Sequence, residues 1–283
     1  MNDRELTELK NRARQGDADA QYELGLFYDG ADNYDETEAF GLFLLAAEQG
    51  HVKAQYAVGD CYTLGMGVQI DLSEAYRWFL RAAEQGYSEA QLDVAECLAT
   101  GTGVEKNQDE AVKWYLKAAK GGCADAQVAL GILYEEGEIV TRSYAEAAKW
   151  YSLAAQQGEA NGLYNLGCLY LDGNGVEQDY NRAFELFTLA AEQDCGSISA
   201  LTNLGYCCAN GYGTAKDFVK AVEYYMRAVK KGDAVAAFNL GECYELGQGV
   251  EKDLKKSLEW YTVAAERGDN DAQLKVAELT KLL

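Results

Sequence analysis

The sequence contains no proline and one histidine in 283 residues. Without proline, the residue that breaks helices most forcibly is missing. Helix stops must therefore come from glycine, of which there are 29. With His51 alone, a histidine-based zinc site, a Ser-His-Asp triad and a Cys-His dyad would all depend on one side chain, placed in a turn just after Gly50. No catalytic residues, no metal ligands and no cofactor are expected, and the chain reads as a non-enzyme. Positive charge is also short. Against 46 Asp and Glu there are 25 Lys and Arg, a net charge of −21. No basic stripe is present to follow a phosphate backbone, so nucleic acid is not an expected partner. An anionic membrane surface would repel the chain. No apolar run approaches the roughly 18 residues of a spanning helix, so membrane insertion is not expected. The first ten residues hold no apolar export segment, and the expected location is cytoplasmic.

What the chain does have is a repeat. A small residue recurs at Ala20, Ala54, Ala90, Ala126, Gly162, Ala200, Ala236 and Ala272, at intervals of about 36 residues. The spacing predicts one solenoid over 1–283. Its repeats are 20–53, 54–89, 90–125, 126–161, 162–199, 200–235 and 236–271, with an N-terminal capping helix at 4–16 and a C-terminal one at 272–283. Terminal half-repeats would close the ends of the stack. Each repeat predicts two short amphipathic helices. Five positions after the opening residue comes Gly25, Gly59, Ala95, Gly131, Gly167, Gly205 or Gly241, small enough for two helices to approach closely. A capping residue opens each second helix: Asp35, Asp71, Asn107, Ser143, Asp179, Asp217 and Asp253. Three residues on, Glu38, Glu74, Glu110 and Glu146 are positioned for capping boxes, whereas the last three repeats carry Arg182, Lys220 and Lys256. Gly50, Gly86, Gly122, Gly158, Gly196, Gly232 and Gly268 end the second helices. Two irregularities interrupt the pattern: a short loop from Gly30 to Asp35, and two extra residues in 193–196.

Three features invite chemistry and resolve into structure. Gly-x-Gly recurs at 65–67, 101–103, 173–175, 211–213 and 247–249, but no strand precedes these loops and no P-loop lysine follows, so they read as turns. Trp78, Trp114, Trp150 and Trp260 share one second-helix position with Leu42, Leu186 and Tyr224, which makes them core wedges. Cys61, Cys97, Cys207 and Cys243 share one first-helix position with Phe27, Leu133, Leu169 and Leu279, again core.

The pattern Ala126…Leu130-Gly131…Tyr134, then Trp150-Tyr151…Ala154-Ala155…Gly158, resembles the Sel-one-like repeat, a relative of the tetratricopeptide repeat. The resemblance covers essentially the whole chain. It implies an all-α fold, a right-handed α/α solenoid (superhelix) of seven helix-turn-helix repeats plus terminal half-repeats. It also implies a scaffold or adaptor for protein binding, in bacterial signalling, host interaction or effector neutralisation. The alternative it raises is a hydrolase of a cell-wall-type substrate, by analogy with secreted relatives. Some secreted members brace each repeat with a disulfide. Here no second helix supplies a partner cysteine within its body. Neighbouring helices pack about 10 Å apart, whereas a disulfide needs α-carbons within about 7 Å. Reduced thiols are expected, in keeping with a reducing compartment.

In tetratricopeptide-like superhelices the first helices line a concave face, so the resemblance assigns partner binding to groove positions. These carry Tyr56, Asp60, Glu96, Glu135, Tyr164, Asn165, Asn203, Tyr206, Phe238, Asn239, Glu242 and Glu245. In peptide-binding relatives the equivalent of Asn165, Asn203 and Asn239 holds a ligand backbone or terminal carboxylate, and an amide has the donor and acceptor for it. The cations of a carboxylate clamp are missing from these positions. An acidic, aromatic groove of this kind predicts another protein or peptide of basic character as partner and rejects acidic ones. The oligomeric state is not legible.

Overall fold

The computed structural model describes residues 2–30, 34–193 and 197–283. Among them are sixteen helices and no strand. Backbone packing divides the chain into two compact units, Met1–Leu130 and Gly131–Leu283. The first holds α1 (Asp3–Arg14), α2 (Ala18–Asp29), α3 (Glu36–Glu48), α4 (Val52–Leu64), α5 (Leu72–Glu84), α6 (Ser88–Thr100) and α7 (Gln108–Lys120). The division falls within α8 (Ala124–Glu136). The second unit continues with α9 (Tyr144–Gln156), α10 (Ala160–Asp172), α11 (Tyr180–Glu192), α12 (Ile198–Asn210), α13 (Phe218–Lys230), α14 (Ala234–Leu246), α15 (Leu254–Glu266) and α16 (Asn270–Leu282). From α1 to α7, and again from α9 to α16, each helix packs on its sequence neighbours, as a tandem helix-turn-helix solenoid requires.

The local causes are repeated. The side chains of Asp35, Asp71, Asn107, Ser143, Asp179, Asp217 and Asp253 all accept first-turn amides of their helices, as the sequence predicts. Their own backbone N–H groups donate to first-helix carbonyls of the same repeat, such as Asp71 to Tyr62 at 3.0 Å and Asp253 to Tyr244 at 2.9 Å. That bond corrects the expected capping boxes. With the cap amide already satisfied, Glu74, Glu110 and Glu146 instead pair with Arg77, Lys113 and Lys149 one turn on. The reciprocal box forms at α1, between Asn2 and Glu5.

The small residue in each first helix also has a specific cause. A Cβ on Gly59 would lie 2.4 Å from the Phe79 ring, because the second helix lays an aromatic flat against the first. The second glycine of each Gly-x-Gly loop does something different. A Cβ on Gly213, whose φ is +67°, would lie 2.1 Å from the Tyr180 carbonyl oxygen. The loop therefore sits on the backbone of the preceding repeat's second helix, which supports its reading as a structural turn. Trp78 and Trp114 are buried, with Arg81 and Lys117 over their rings at 4.2 and 3.5 Å. Gly196, Cys195 and the loop residues 31–33 lie outside the described residues.

A buried polar ladder in the first unit is not apparent from the periodicity. Gln21, Gln55, Gln91 and Gln127 are all buried. Each donates Nε2 to a last-turn carbonyl of the preceding second helix: Ala13, Ala47, Ala83 and Ala119, at 3.0–3.2 Å. Each of these carbonyls also accepts from the glycine amide three residues on, so the glutamine adds a second bond across the joint between repeats. In the second unit Leu163, Leu201 and Ala237 are buried at this position, and Gln273 is exposed there. The corresponding carbonyl of Val229 accepts instead from the Arg267 guanidinium at 3.2 Å.

Candidate functional site: the first-helix clefts

In the first unit, α4 and α6 flank a cavity of about 280 Å³ whose lining includes Ala75 and Phe79 of α5. Asp60 enters from α4, and Asp93 and Glu96 from α6. Tyr56 lies 5.5 Å from the Phe79 ring and 5.1 Å from Tyr87, and its hydroxyl is hydrogen-bonded with Asp93. Burial is the main cause that pushes Asp60 up to about 7, with Asp93 and Asp29 adding repulsion. Burial likewise lifts Asp93 to about 6 against the opposing Tyr56 hydrogen bond, and raises Glu96. Among the described residues no ion pair reaches any of the three. The cleft is short of positive charge.

The predicted positions in the second unit are put to several uses. Tyr164 packs on Phe187 at 5.9 Å and Phe238 on Tyr261 at 5.1 Å, so both rings are partly consumed by packing. Asn203 Nδ2 lies 3.6 Å from Cys168 Sγ. Asn165 and Asn239 are half-buried on the same helix face. Glu135 accepts from the buried Tyr151 hydroxyl at 2.8 Å. Glu245 accepts from Tyr261 at 2.7 Å and pairs with Lys275 at 3.0 Å. Burial alone would raise the Glu245 carboxyl, but the bonds from Tyr261 and Lys275 outweigh it and hold it below the usual range. Glu135 and Glu245 are thus engaged inside the protein, while Glu242 is exposed. Tyr206 is 43% exposed. Between α12 and α14 lies a second cavity, about 310 Å³, which takes in Tyr206, Asn239 and Glu242 together with Lys216 of the preceding loop and Phe218 at the start of α13.

Asp93, Lys216 and Lys275 are the residues that the sequence reading passed over. A signal existed for two of them. Asp93 and Lys275 stand at the first-helix position that Asn165, Asn203 and Asn239 hold in other repeats. His51 is a cap: its Nδ1 accepts from the Ala54 amide at 3.0 Å, and its Nε2 lies 3.3 Å from Asp19. The seven described cysteines are all free. Burial pushes Cys61 and Cys207 up to about 12, leaving protonated, unreactive thiols.

The family model of the Sel1 repeat matches residues 18–51, 52–87, 88–123, 124–159, 160–195, 198–233 and 234–269. Among solved structures, the Sel1 repeat protein from Oxalobacter formigenes is 35% identical with a TM-score of 0.76, over 86% of this chain and 96% of that one. A protective antigen of uropathogenic Escherichia coli with an SLR fold, c5321, is 33% identical with a TM-score of 0.60, over 98% of this chain and 68% of that one. No curated protein matches the sequence.

Proposed function

The chain belongs to the Sel1 repeat family, and on that premise we propose that it is a non-enzymatic scaffold whose first-helix face holds a basic segment of another protein. The observation that carries the reading is the first unit's cleft, where Asp60, Asp93 and Glu96 are drawn together and partly desolvated, with no cation among the described residues paired to them. Removing carboxylates from water without a cation is unfavourable, and a Lys or Arg side chain entering the cleft relieves it. Tyr56 and Tyr87 beside them suit the stem or plane of such a side chain. Net charge of the same sign as the cleft speeds encounter with a basic partner and weakens acidic ones.

The test is titration of a fluorescent nonapeptide of alternating lysine, arginine and glycine into the wild-type chain and into Asp60→Asn/Asp93→Asn/Glu96→Gln. The wild type binds, and the triple variant with unchanged circular dichroism loses at least about tenfold in affinity. Equal binding by the two proteins overturns the assignment of the cleft. The Asn165, Asn203 and Asn239 row is tested separately by combined alanine substitution, which is expected to weaken main-chain capture of the same peptide.

A further inference from the structure

The two cavities are the same place in the repeat, filled differently. Position for position, Asp60 in the first becomes Tyr206 in the second, Asp93 becomes Asn239, and Phe79 becomes Tyr225, while Glu96 is matched by Glu242. A site with three carboxylates selects by charge and takes ammonium or guanidinium alike. The second cavity has lost two of those charges and gained a ring and amides. What it offers is one carboxylate, an exposed aromatic face and in-plane acceptors.

The aromatic face is fixed in place. Tyr212 meets Tyr206 edge-on at 5.8 Å and is itself stacked on Tyr180 at 4.3 Å with an interplanar angle of 11°. Asn210 commits Nδ2 to the Tyr206 carbonyl at 2.9 Å, which leaves its Oδ1 as the group to offer. Lys216 opposes a cationic guest, but its ammonium is exposed and held over the Phe218 ring at 4.8 Å. Burial raises the Glu242 carboxyl despite the pull of Lys275, so its charge is not fully compensated from within. A flat cation with several in-plane donors satisfies the ring, the carboxylate and the amide oxygens together, which a compact ammonium cannot.

We propose that the cavity between α12 and α14 is an arginine-selective pocket, with the guanidinium stacked on Tyr206 and hydrogen-bonded to Glu242. The proposal rests on the scaffold reading and names the side chain this part of the scaffold reads.

The experiment follows the Ala209 methyl group, which lines the cavity, by NMR in the full chain. The probes are Nα-acetyl-arginine amide, its neutral isostere Nα-acetyl-citrulline amide, and Nα-acetyl-lysine amide. Arginine is expected to move the methyl signal and to bind about tenfold more tightly than either competitor. Glu242→Gln should erase the preference over citrulline, Tyr206→Ala the preference over lysine. Lys216→Gln should tighten arginine binding, a gain that a damaged fold does not produce. Citrulline or lysine binding as well as arginine overturns the proposal, as does an arginine response unchanged by Glu242→Gln. If the pocket fails while the basic nonapeptide still needs Asp60 and Asp93, the pocket alone is wrong; loss of the nonapeptide result removes the scaffold reading beneath it.

Discussion

Asp60 and Asp93 carry charge that their burial makes costly, and the cost has a pH signature. Both carboxyls are raised in the folded chain, to about 7 and about 6. Stability from a raised group is fully present below its unfolded pKa and is lost as pH rises through the folded value. Their contribution therefore declines from pH 5 towards pH 8, and thermal unfolding followed by circular dichroism should show Asp60→Asn/Asp93→Asn flattening that decline. Glu245 has the opposite sign. Its lowered carboxyl contributes above the ordinary carboxylate range and loses that contribution as pH falls. A cationic peptide couples to the same protons, so its affinity should rise between pH 5 and pH 8 in the wild type and not in the double variant. At His51, alanine removes a cap and should cost about 1 kcal/mol in urea unfolding. The unusual position of the lone histidine was legible in the sequence, but its role was not. The cap accepts through Nδ1, a partner no histidine motif announces.

At the scale of the element, the helix boundaries were legible because their causes are local. Each capping residue binds amides two or three positions ahead, and the sequence contains both partners. Asp217→Ala should accordingly destabilise by about 1 kcal/mol. The capping boxes were misread because the competing acceptor is remote in sequence, a carbonyl at the far end of the preceding helix. The glycine loops were read correctly as turns, but not as points where one repeat rests on another. Gly213→Ala combines positive φ with a clash against the Tyr180 carbonyl, and a loss of about 2 kcal/mol or more is expected by urea unfolding. Gly59→Ala, with φ in the helical region, meets only the Phe79 ring and should cost about 1–3 kcal/mol.

For the whole molecule, repeat number was legible from the period and fold class from the repeat pattern and the family it resembles, whereas the chemistry of the clefts was not. Periodicity assigns a side chain to a face. It does not say that Glu245 is spoken for by Lys275, or that Asp93 joins Asp60 around one cavity. With net charge −21, association with a basic peptide should weaken as ionic strength rises, measured by titration at increasing salt. The glutamine ladder bears on descent by duplication. Within the stretch from Gln21 to Gln127, any repeat copied behind its neighbour brings an amide that adds a bond to the neighbour's last-turn carbonyl, so that cross-repeat contact survives the event. A repeat bearing Leu163 or Leu201 brings no such donor, and inserted there it would leave that carbonyl with the bond from its own terminal glycine alone. The copies look alike in period but are joined in two ways, and an exchange across the two kinds gains or loses one hydrogen bond between repeats.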